Sequence, residues 1–272
     1  MNYAFIGLGN MAGAILKGMK GMKGSDSFAS DKLFGYDVDQ KRAGQAAAQT
    51  GLTSCASANE AIEQADIVVL AVKPQTLSAL LVQTRDALQK NKLVISIAAG
   101  KPLVFYEALI GTGVPLIRVM PSLLAKVNAA SSAVCHNAAV TQAQVDIAFK
   151  LFSAVGTVSQ VPEHLFPAFS AISGAAPAFV FEFIDSLASA GVRAGLSREL
   201  AQQTACAMVQ GSARLSMEAR EHPHALMDQV CSPGGTTIRG VHALAACGFD
   251  HAVHEAVAAV IDRDLELGRD KA

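Results

Sequence analysis

The stretch Gly7-Leu8-Gly9-Asn10-Met11-Ala12 restricts this chain more than any other. It follows a short apolar run, Ala4 to Ile6, and precedes a helical pattern through Ile15, Leu16 and Met19. The first glycine permits a tight turn, the second lets a pyrophosphate approach the backbone, and a small third residue lets the helix pack on the strand. Turns of this composition also arise by chance, so context decides. Between a strand and a helix, at the start of the chain, the motif reads as a dinucleotide-binding turn and commits this region to a βαβ fold.

The next strand is Lys32 to Tyr36, ending in Asp37. An acidic residue there can accept hydrogen bonds from the adenosine ribose hydroxyls, which favours NAD. It lies farther from Gly9 than the usual ~20 residues, and a Gly/Lys-rich insertion from Lys17 to Ser27 accounts for the excess. Lys41 and Arg42 stand close enough to offer a 2′-phosphate partner, or simply form an exposed helix face, so NAD and NADP both stay open. Ser57-x-x-Glu60 is a capping box before a helix from Asn59 to Ala65.

Asp66 to Val72 is a continuous apolar strand of the kind buried in a parallel sheet. It ends in Lys73-Pro74-Gln75, which presents a lysine at the carboxyl end of a strand, where open α/β sheets bind ligands. That lysine reads equally well as a solvated side chain. Leu93 to Ile97 repeats the pattern and ends in Ala98-Ala99-Gly100; Pro115 to Val119 ends in Met120-Pro121-Ser122. Ser131 to Cys135, a helix from Gln142 to Ala154 opened by Thr141, and a strand from Thr157 to Val161 follow. Strands alternating with helices predict a doubly wound, mostly parallel, Rossmann-like sheet.

After Pro162 the pattern changes to helices with Ala-rich faces: Gly174 to Ala194 with Pro177 in its first turn, Arg198 to Met217 capped by Ser197, and Asp250 to Gly268. The expected domains are therefore 1–161, dinucleotide-binding, and 162–272, all-helical. The apolar surface of the second is expected to complete its core by dimerising. Within it, Cys231-Ser232-Pro233-Gly234-Gly235-Thr236-Thr237 separates a helical run ending near Val230 from an amphipathic run, Ile238 to Cys247. Gly234, Gly235 and Thr236 can turn successive N–H groups toward one point at a helix start, which suits a carboxylate or phosphate.

Charged residues make up 17% of the 272 and the net charge is -1, which leaves no electrostatic footprint for nucleic acid or an acidic membrane surface. No uninterrupted apolar run approaches the ~20 residues of a membrane span, and the N-terminus lacks the pattern of a signal peptide. The five cysteines are scattered and free of C-x-x-C spacing. A cytoplasmic protein with reduced thiols is expected. His222-Pro223-His224 and His251-x-x-His254 lack a third ligand at metal spacing, so no metal is expected.

These residues together resemble the pyrroline-5-carboxylate reductase family over essentially the full length. The resemblance rests on Phe5 to Ala12, Leu70-Ala71-Val72-Lys73-Pro74-Gln75, Ser173-Gly174-Ala175-Ala176-Pro177-Ala178-Phe179, Ala190-Gly191-Val192-x-x-Gly195-Leu196 and, most specifically, Val230 to Thr237. It implies hydride transfer from NADPH or NADH, with NADPH favoured, to C5 of L-1-pyrroline-5-carboxylate, giving L-proline. It also implies a homodimer with interlocking helical domains, and in some members larger rings up to a decamer built from dimers. Carried over to this sequence, Ser232, Gly234, Gly235 and Thr236 hold the substrate carboxylate, Thr237 sets its hydroxyl near the ring nitrogen, and Glu218 lies close to the substrate. Gly7 to Ala12, Asp37, Asn59, Ala71 to Pro74, and Ala98, Ala99 and Gly100 line the cofactor. Two departures stand out: Met120-Pro121-Ser122-Leu123-Leu124 replaces the family's Met-Pro-Asn-Thr-Pro, and Ser173-Gly174-Ala175-Ala176-Pro177 replaces Ser-Gly-Ser/Cys-Gly-Pro.

The chemistry fits this inventory. A protonated imine is already electrophilic, so its reduction needs orientation and a proton rather than a metal or a covalent nucleophile. A β-hydroxyacid-type dehydrogenase would need a lysine in the helical region, where Pro162 to the final tail offers only arginines and histidines. A cofactor sensor without turnover has only the altered Ser122-Leu123 loop in its favour.

Overall fold

The computed structural model describes residues 1–22, 28–89 and 91–269. The first part alternates strands and helices: β1 (Asn2–Ile6), α1 (Asn10–Gly21), β2 (Lys32–Tyr36), α2 (Gln40–Thr50), β3 (Thr53–Ser54), α3 (Ala58–Glu63), β4 (Ile67–Leu70) and α4 (Pro74–Leu88). It continues with β5 (Leu93–Ser96), α5 (Leu103–Ile110), β6 (Leu116–Met120), a 3-10 turn (Leu123–Val127), β7 (Ala130–His136), α6 (Gln142–Ser153) and β8 (Gly156–Gln160). The strands form one sheet in the order β3-β2-β1-β4-β5-β6-β7-β8. Every pairing is parallel except β6 with β7, so the doubly wound sheet is as expected. The strand order reverses at β1, and the crevice outside the carboxyl ends of β1 and β4 is where such sheets bind ligands.

Both faces of the sheet are covered, which explains why the central strands read as unbroken apolar runs. Successive side chains of β1 go to opposite faces. Tyr3 and Phe5 join Ile15, Leu16, Leu151 and Phe152 of α1 and α6, whereas Ala4 and Ile6 join Leu77, Leu81 and Tyr106 of α4 and α5. The supposed insertion beginning at Lys17 is a correction: through Gly21 it continues α1, and the part covering 23–27 lies outside the described residues. Helical burial persists because Gly18 lets α1 lie directly against the end of α6, where a Cβ would meet the Ala154 carbonyl and the Val155 side chain.

The capping signals hold with one change of partner. Thr141 and Gln144 form a complete capping box on α6. Ser57 Oγ accepts the Glu60 N–H at 3.1 Å, while the Glu60 carboxylate reaches past the cap to the Ala56 N–H at 2.7 Å.

Beyond β8 the described residues contain no further strand. A 3-10 turn (Glu163–Leu165), α7 (Phe166–Ser170) and a π turn (Ala171–Ala175) precede α8 (Ala176–Arg193), a start that the sequence had placed in one helix from Gly174. Then come α9 (Arg198–Ala219), α10 (Pro223–Val230), α11 (Thr236–Ala246) and α12 (Phe249–Arg269). Ser197 caps α9 by accepting the Leu200 N–H. The stretch Glu163–Arg193 is, by length and composition, apolar enough to cross a membrane. Its apolar stretches are interrupted by Pro167, Pro177, Glu182 and Asp185, so the chain still holds no uninterrupted apolar run of that length.

The chain divides into two compact units, Met1–Gly174 with the stretch from Ile261, and Ala175–Val260. Composition changes at Pro162, but the compact boundary falls at Gly174 because the first helical turns are bound to the sheet. Glu163 Oε1 accepts from Nη1 of the buried Arg118 on β6 at 2.9 Å and from the Leu103 N–H at 2.7 Å. The Arg118 guanidinium also lies over the Phe166 ring, 4.5 Å from its centroid, and Phe166 is buried with Ala133 and Cys135. Replacing Glu163 with alanine takes from the buried Arg118 guanidinium its directly bonded carboxylate. We expect a loss of about 3 kcal/mol in urea unfolding, with Arg118→Leu/Glu163→Ala recovering much of it.

Candidate active site

At the end of β1 the Gly7 N–H donates to the Tyr36 carbonyl at 2.8 Å, which continues the ladder into the turn. Gly7 has φ 93°, and a Cβ there would sit 2.8 Å from the Ala71 carbonyl oxygen. Only glycine combines that backbone with that contact. Leu8 is buried in the core, and its N–H is donated to Asp37 Oδ2 at 2.8 Å. Gly9 caps α1 without any side-chain hydrogen bond, and a Cβ at Gly9 would meet nothing within 4 Å. The first amides of α1, Asn10, Met11 and Ala12, therefore end in an open, uncapped helix start, which suits a pyrophosphate.

The other expected cofactor residues fall on the same edge or nearby. Ala71 continues β4 by donating its N–H to the Ile6 carbonyl. Val72 follows, Lys73 is the exposed N-cap of α4, and Pro74 occupies its first turn, where the missing N–H costs nothing. Ala98 is buried and its N–H is 3.3 Å from Ser96 Oγ, Ala99 is exposed, and Gly100 has φ 72°. Ser96 Oγ is in turn 2.6 Å from the Tyr106 hydroxyl. Burial pushes that phenol up to about 12, so it stays protonated and holds the turn after β5 in place. No sequence signal pointed to this pair, because Tyr106 reads as one more apolar helix residue. The Asn59 side-chain oxygen is buried with no partner among the described residues, an acceptor left over for a ligand donor. An open helix start, a glycine with room above it and an orphaned acceptor fit a dinucleotide.

Asp37 differs from the expected open ribose acceptor. It is 5% exposed; besides the Leu8 amide it accepts the Asp39 N–H at 2.9 Å and faces Arg42 Nη1 at 3.3 Å. Arg42 lines a groove of about 500 Å3 with Gly9, Asn10, Lys17, Gln49 and Lys126.

In the other unit, α10 ends with the Cys231 N–H donating to the Met227 carbonyl. Gly234 takes φ 66°, and the Gly235 N–H closes the turn on the Ser232 carbonyl at 3.0 Å. This amends the expected nest, because the Gly235 amide is used by the turn itself. Helix α11 begins at Thr236, not Ile238, with Gly235 as a cap that offers no side-chain bond. The unpaired donors are thus the first-turn amides of Thr236, Thr237 and Ile238, at the positive end of the helix. Ser232, Gly234, Thr236 and Thr237 are exposed. Glu218 is exposed on α9, where its carboxylate takes Arg214 Nε at 2.7 Å. The i,i+4 spacing would have revealed that partner. Among the described residues no three His, Cys, Asp or Glu side chains form a cluster fit for a metal; His222 and His224 stack on each other, 5.5 Å apart.

Residues 163–267 match the family model described as pyrroline-5-carboxylate reductase dimerisation, and residues 2–100 one described as NADP oxidoreductase, coenzyme F420-dependent. A pyrroline-5-carboxylate reductase of Methanosarcina acetivorans is 37% identical over 265 residues, 97% of either chain. The chain belongs to the pyrroline-5-carboxylate reductase family. A solved pyrroline-5-carboxylate reductase from Coxiella burnetii superposes with a TM-score of 0.92 at 28% identity, covering 98% of each chain. A pyrroline carboxylate reductase from Plasmodium falciparum, solved with NADP bound, does so with 0.86 at 30% identity, again over 98% of each chain.

Within this reductase sequence the altered loop after β6 is well defined. Ser122 is 2% exposed and its hydroxyl has no partner among the described residues; Leu123 opens the 3-10 turn with its side chain in solvent. At the second departure Gly174 packs against Met120, with 3.3 Å between a built Cβ and the methionine methyl. A side chain larger than glycine would press on the end of β6 there, so the neighbouring Ala175 and Ala176 alter packing outside that contact.

Proposed function

We propose that this oxidoreductase reduces L-1-pyrroline-5-carboxylate to L-proline, the last step of proline synthesis, in the cytoplasm. The observation that carries the reading is the uncapped start of α11 behind the Ser232–Gly235 turn, a helix end with unpaired amides and exposed hydroxyls. The amides of Thr236, Thr237 and Ile238 hold the substrate carboxylate, supported by the helix dipole. The Thr237 hydroxyl positions the ring nitrogen; a threonine is a poor acid, so the imine arrives protonated or takes its proton from water. Glu218, salt-bridged to Arg214, acts through its charge on the orientation of the ring rather than by moving a proton. NADPH or NADH, bound at the Gly7–Ala12 turn, supplies the hydride to C5.

The exposed apolar side chains of the helical unit, among them Val180, Phe181, Leu187, Met208, Leu215 and Val253, are the surface on which a second copy docks. The dimerisation family model covers the whole Glu163–Arg193 run, which favours a protein partner for that face over a bilayer. Larger rings of such dimers, up to a decamer, use the same building block.

The deciding experiment follows the loss of reduced-nicotinamide absorbance with pyrroline-5-carboxylate, NADPH and NADH in separate runs. Substrate-dependent oxidation is expected. Silence from folded, cofactor-binding protein would leave a different imine or a cofactor sensor. In the same assay Thr237→Ala should lower kcat about 10-fold or more with cofactor binding unchanged; equal effects on both would remove Thr237 from the substrate site.

A further inference from the structure

The carboxylate at the end of β2 is already engaged. Asp37 Oδ2 accepts the Leu8 N–H at 2.8 Å and Oδ1 the Asp39 N–H at 2.9 Å. Arg42 Nη1 lies 3.3 Å from Oδ2 and 3.4 Å from Oδ1. A carboxylate offers about four lone-pair positions, and this one is almost wholly buried. It has little left for a ribose diol, and its charge is balanced by a guanidinium and two amides. An acidic residue here would otherwise repel a 2′-phosphate. Arg42 itself is half-exposed at 49% and also reaches Asp39 Oδ2 at 3.6 Å through Nη2. Two carboxylates thus fix its position on the rim of the groove it shares with Gly9 and Asn10. Of its five N–H donors, those not turned to the carboxylates remain for a ligand.

We propose that Arg42 is the residue that selects NADPH over NADH, by binding the adenosine 2′-phosphate, and that Asp37 is a positioning residue. Asp37 anchors the glycine-rich turn through the Leu8 amide and holds Arg42 at the groove. This rests on reading Gly7–Ala12 as the dinucleotide turn, and is independent of which imine is reduced. A planar guanidinium with donors left over matches a phosphate dianion, whereas Asp37 has no open edge for the hydroxyl pair of NADH.

The test needs no substrate. Binding of 2′,5′-ADP and of AMP is measured by calorimetry for the full chain and for Arg42→Ala, Arg42→Lys and Asp37→Asn, with folding checked by thermal melts. The unaltered protein should bind 2′,5′-ADP about 10- to 100-fold more tightly than AMP. Arg42→Ala should erase that margin while leaving AMP within about 3-fold, and Arg42→Lys should keep part of it by charge alone. Asp37→Asn should weaken both ligands, because the turn and the arginine loosen together. No margin in the unaltered protein, or equal loss of both ligands in Arg42→Ala, would overturn the selection role. Unchanged AMP binding by folded Asp37→Asn would overturn the positioning role. Arg42→Ala alters a half-exposed side chain, so its result stands even if Asp37→Asn fails to fold.

Discussion

Alanine at Gly7 is expected to reduce stability by about 2 to 5 kcal/mol and to weaken NADPH binding about 100-fold or more. Two separate penalties act at this position. The backbone has φ 93°, which a side chain makes unfavourable. A Cβ would also lie 2.8 Å from the Ala71 carbonyl oxygen, 2.9 Å from its carbon and 3.0 Å from the Val72 nitrogen. All three are backbone atoms at the carboxyl end of β4, next to the Ala71 N–H that bonds the Ile6 carbonyl. Relief therefore means parting the two central strands where the dinucleotide binds. Urea unfolding and calorimetric titration with NADPH read the two effects separately. Gly9→Ala is the contrast: with nothing within 4 Å of its Cβ, it should melt like the unaltered protein yet bind cofactor poorly, because the methyl group occupies the pyrophosphate's approach. Near-normal NADPH affinity in folded Gly7→Ala would mean that the turn geometry does not govern cofactor binding.

Gly235→Ala should lower kcat/KM for pyrroline-5-carboxylate about 100-fold or more and leave cofactor affinity unchanged. A Cβ at Gly235 collides with the Ser232 hydroxyl and approaches the Ser232 carbonyl to 3.1 Å. Turning the serine side chain relieves only the first contact. The carbonyl is the acceptor of the Gly235 N–H, so easing that contact shifts the turn by a few tenths of an ångström and should move the first-turn amides of α11 off the proposed position of the carboxylate. Losing two charge-assisted hydrogen bonds at about 1.5 to 3 kcal/mol each accounts for the fall in rate. The cofactor turn belongs to the other compact unit, which is why NADPH titrations should not change. Ser232→Ala/Gly235→Ala removes only the hydroxyl clash and should recover little, because the carbonyl contact remains. An unaltered KM in the single variant would show that the carboxylate is held elsewhere.

Much of this architecture was legible in the chain. The glycine-rich turn, the apolar strands from Ile67, Leu93 and Leu116, the Thr141–Gln144 box and the Ser197 cap are signals confined to a few consecutive residues, and each appears where the pattern put it. The misreadings share a cause. Thr236 and Thr237 looked like loop because β-branched hydroxyl residues beside Pro-Gly-Gly favour turns, yet they form the first turn of α11. The Lys17–Gly21 stretch looked like an insertion because glycine and lysine carry no apolar period, yet Gly18 is buried where helix meets helix.

The sequence by itself determined the alternation of strands and helices in the first part, the glycine-rich turn after β1, and the Ser-Pro-Gly-Gly turn before α11. Those properties follow from backbone freedom and side-chain periodicity, which act over a turn or a strand. Only the tertiary structure decided what the charged groups do. Asp37 finds the Leu8 amide across 29 positions of chain, and Arg118 finds Glu163 across 45. Such pairs form because a buried charge must be compensated by whatever the fold brings beside it, and no local pattern records that neighbour.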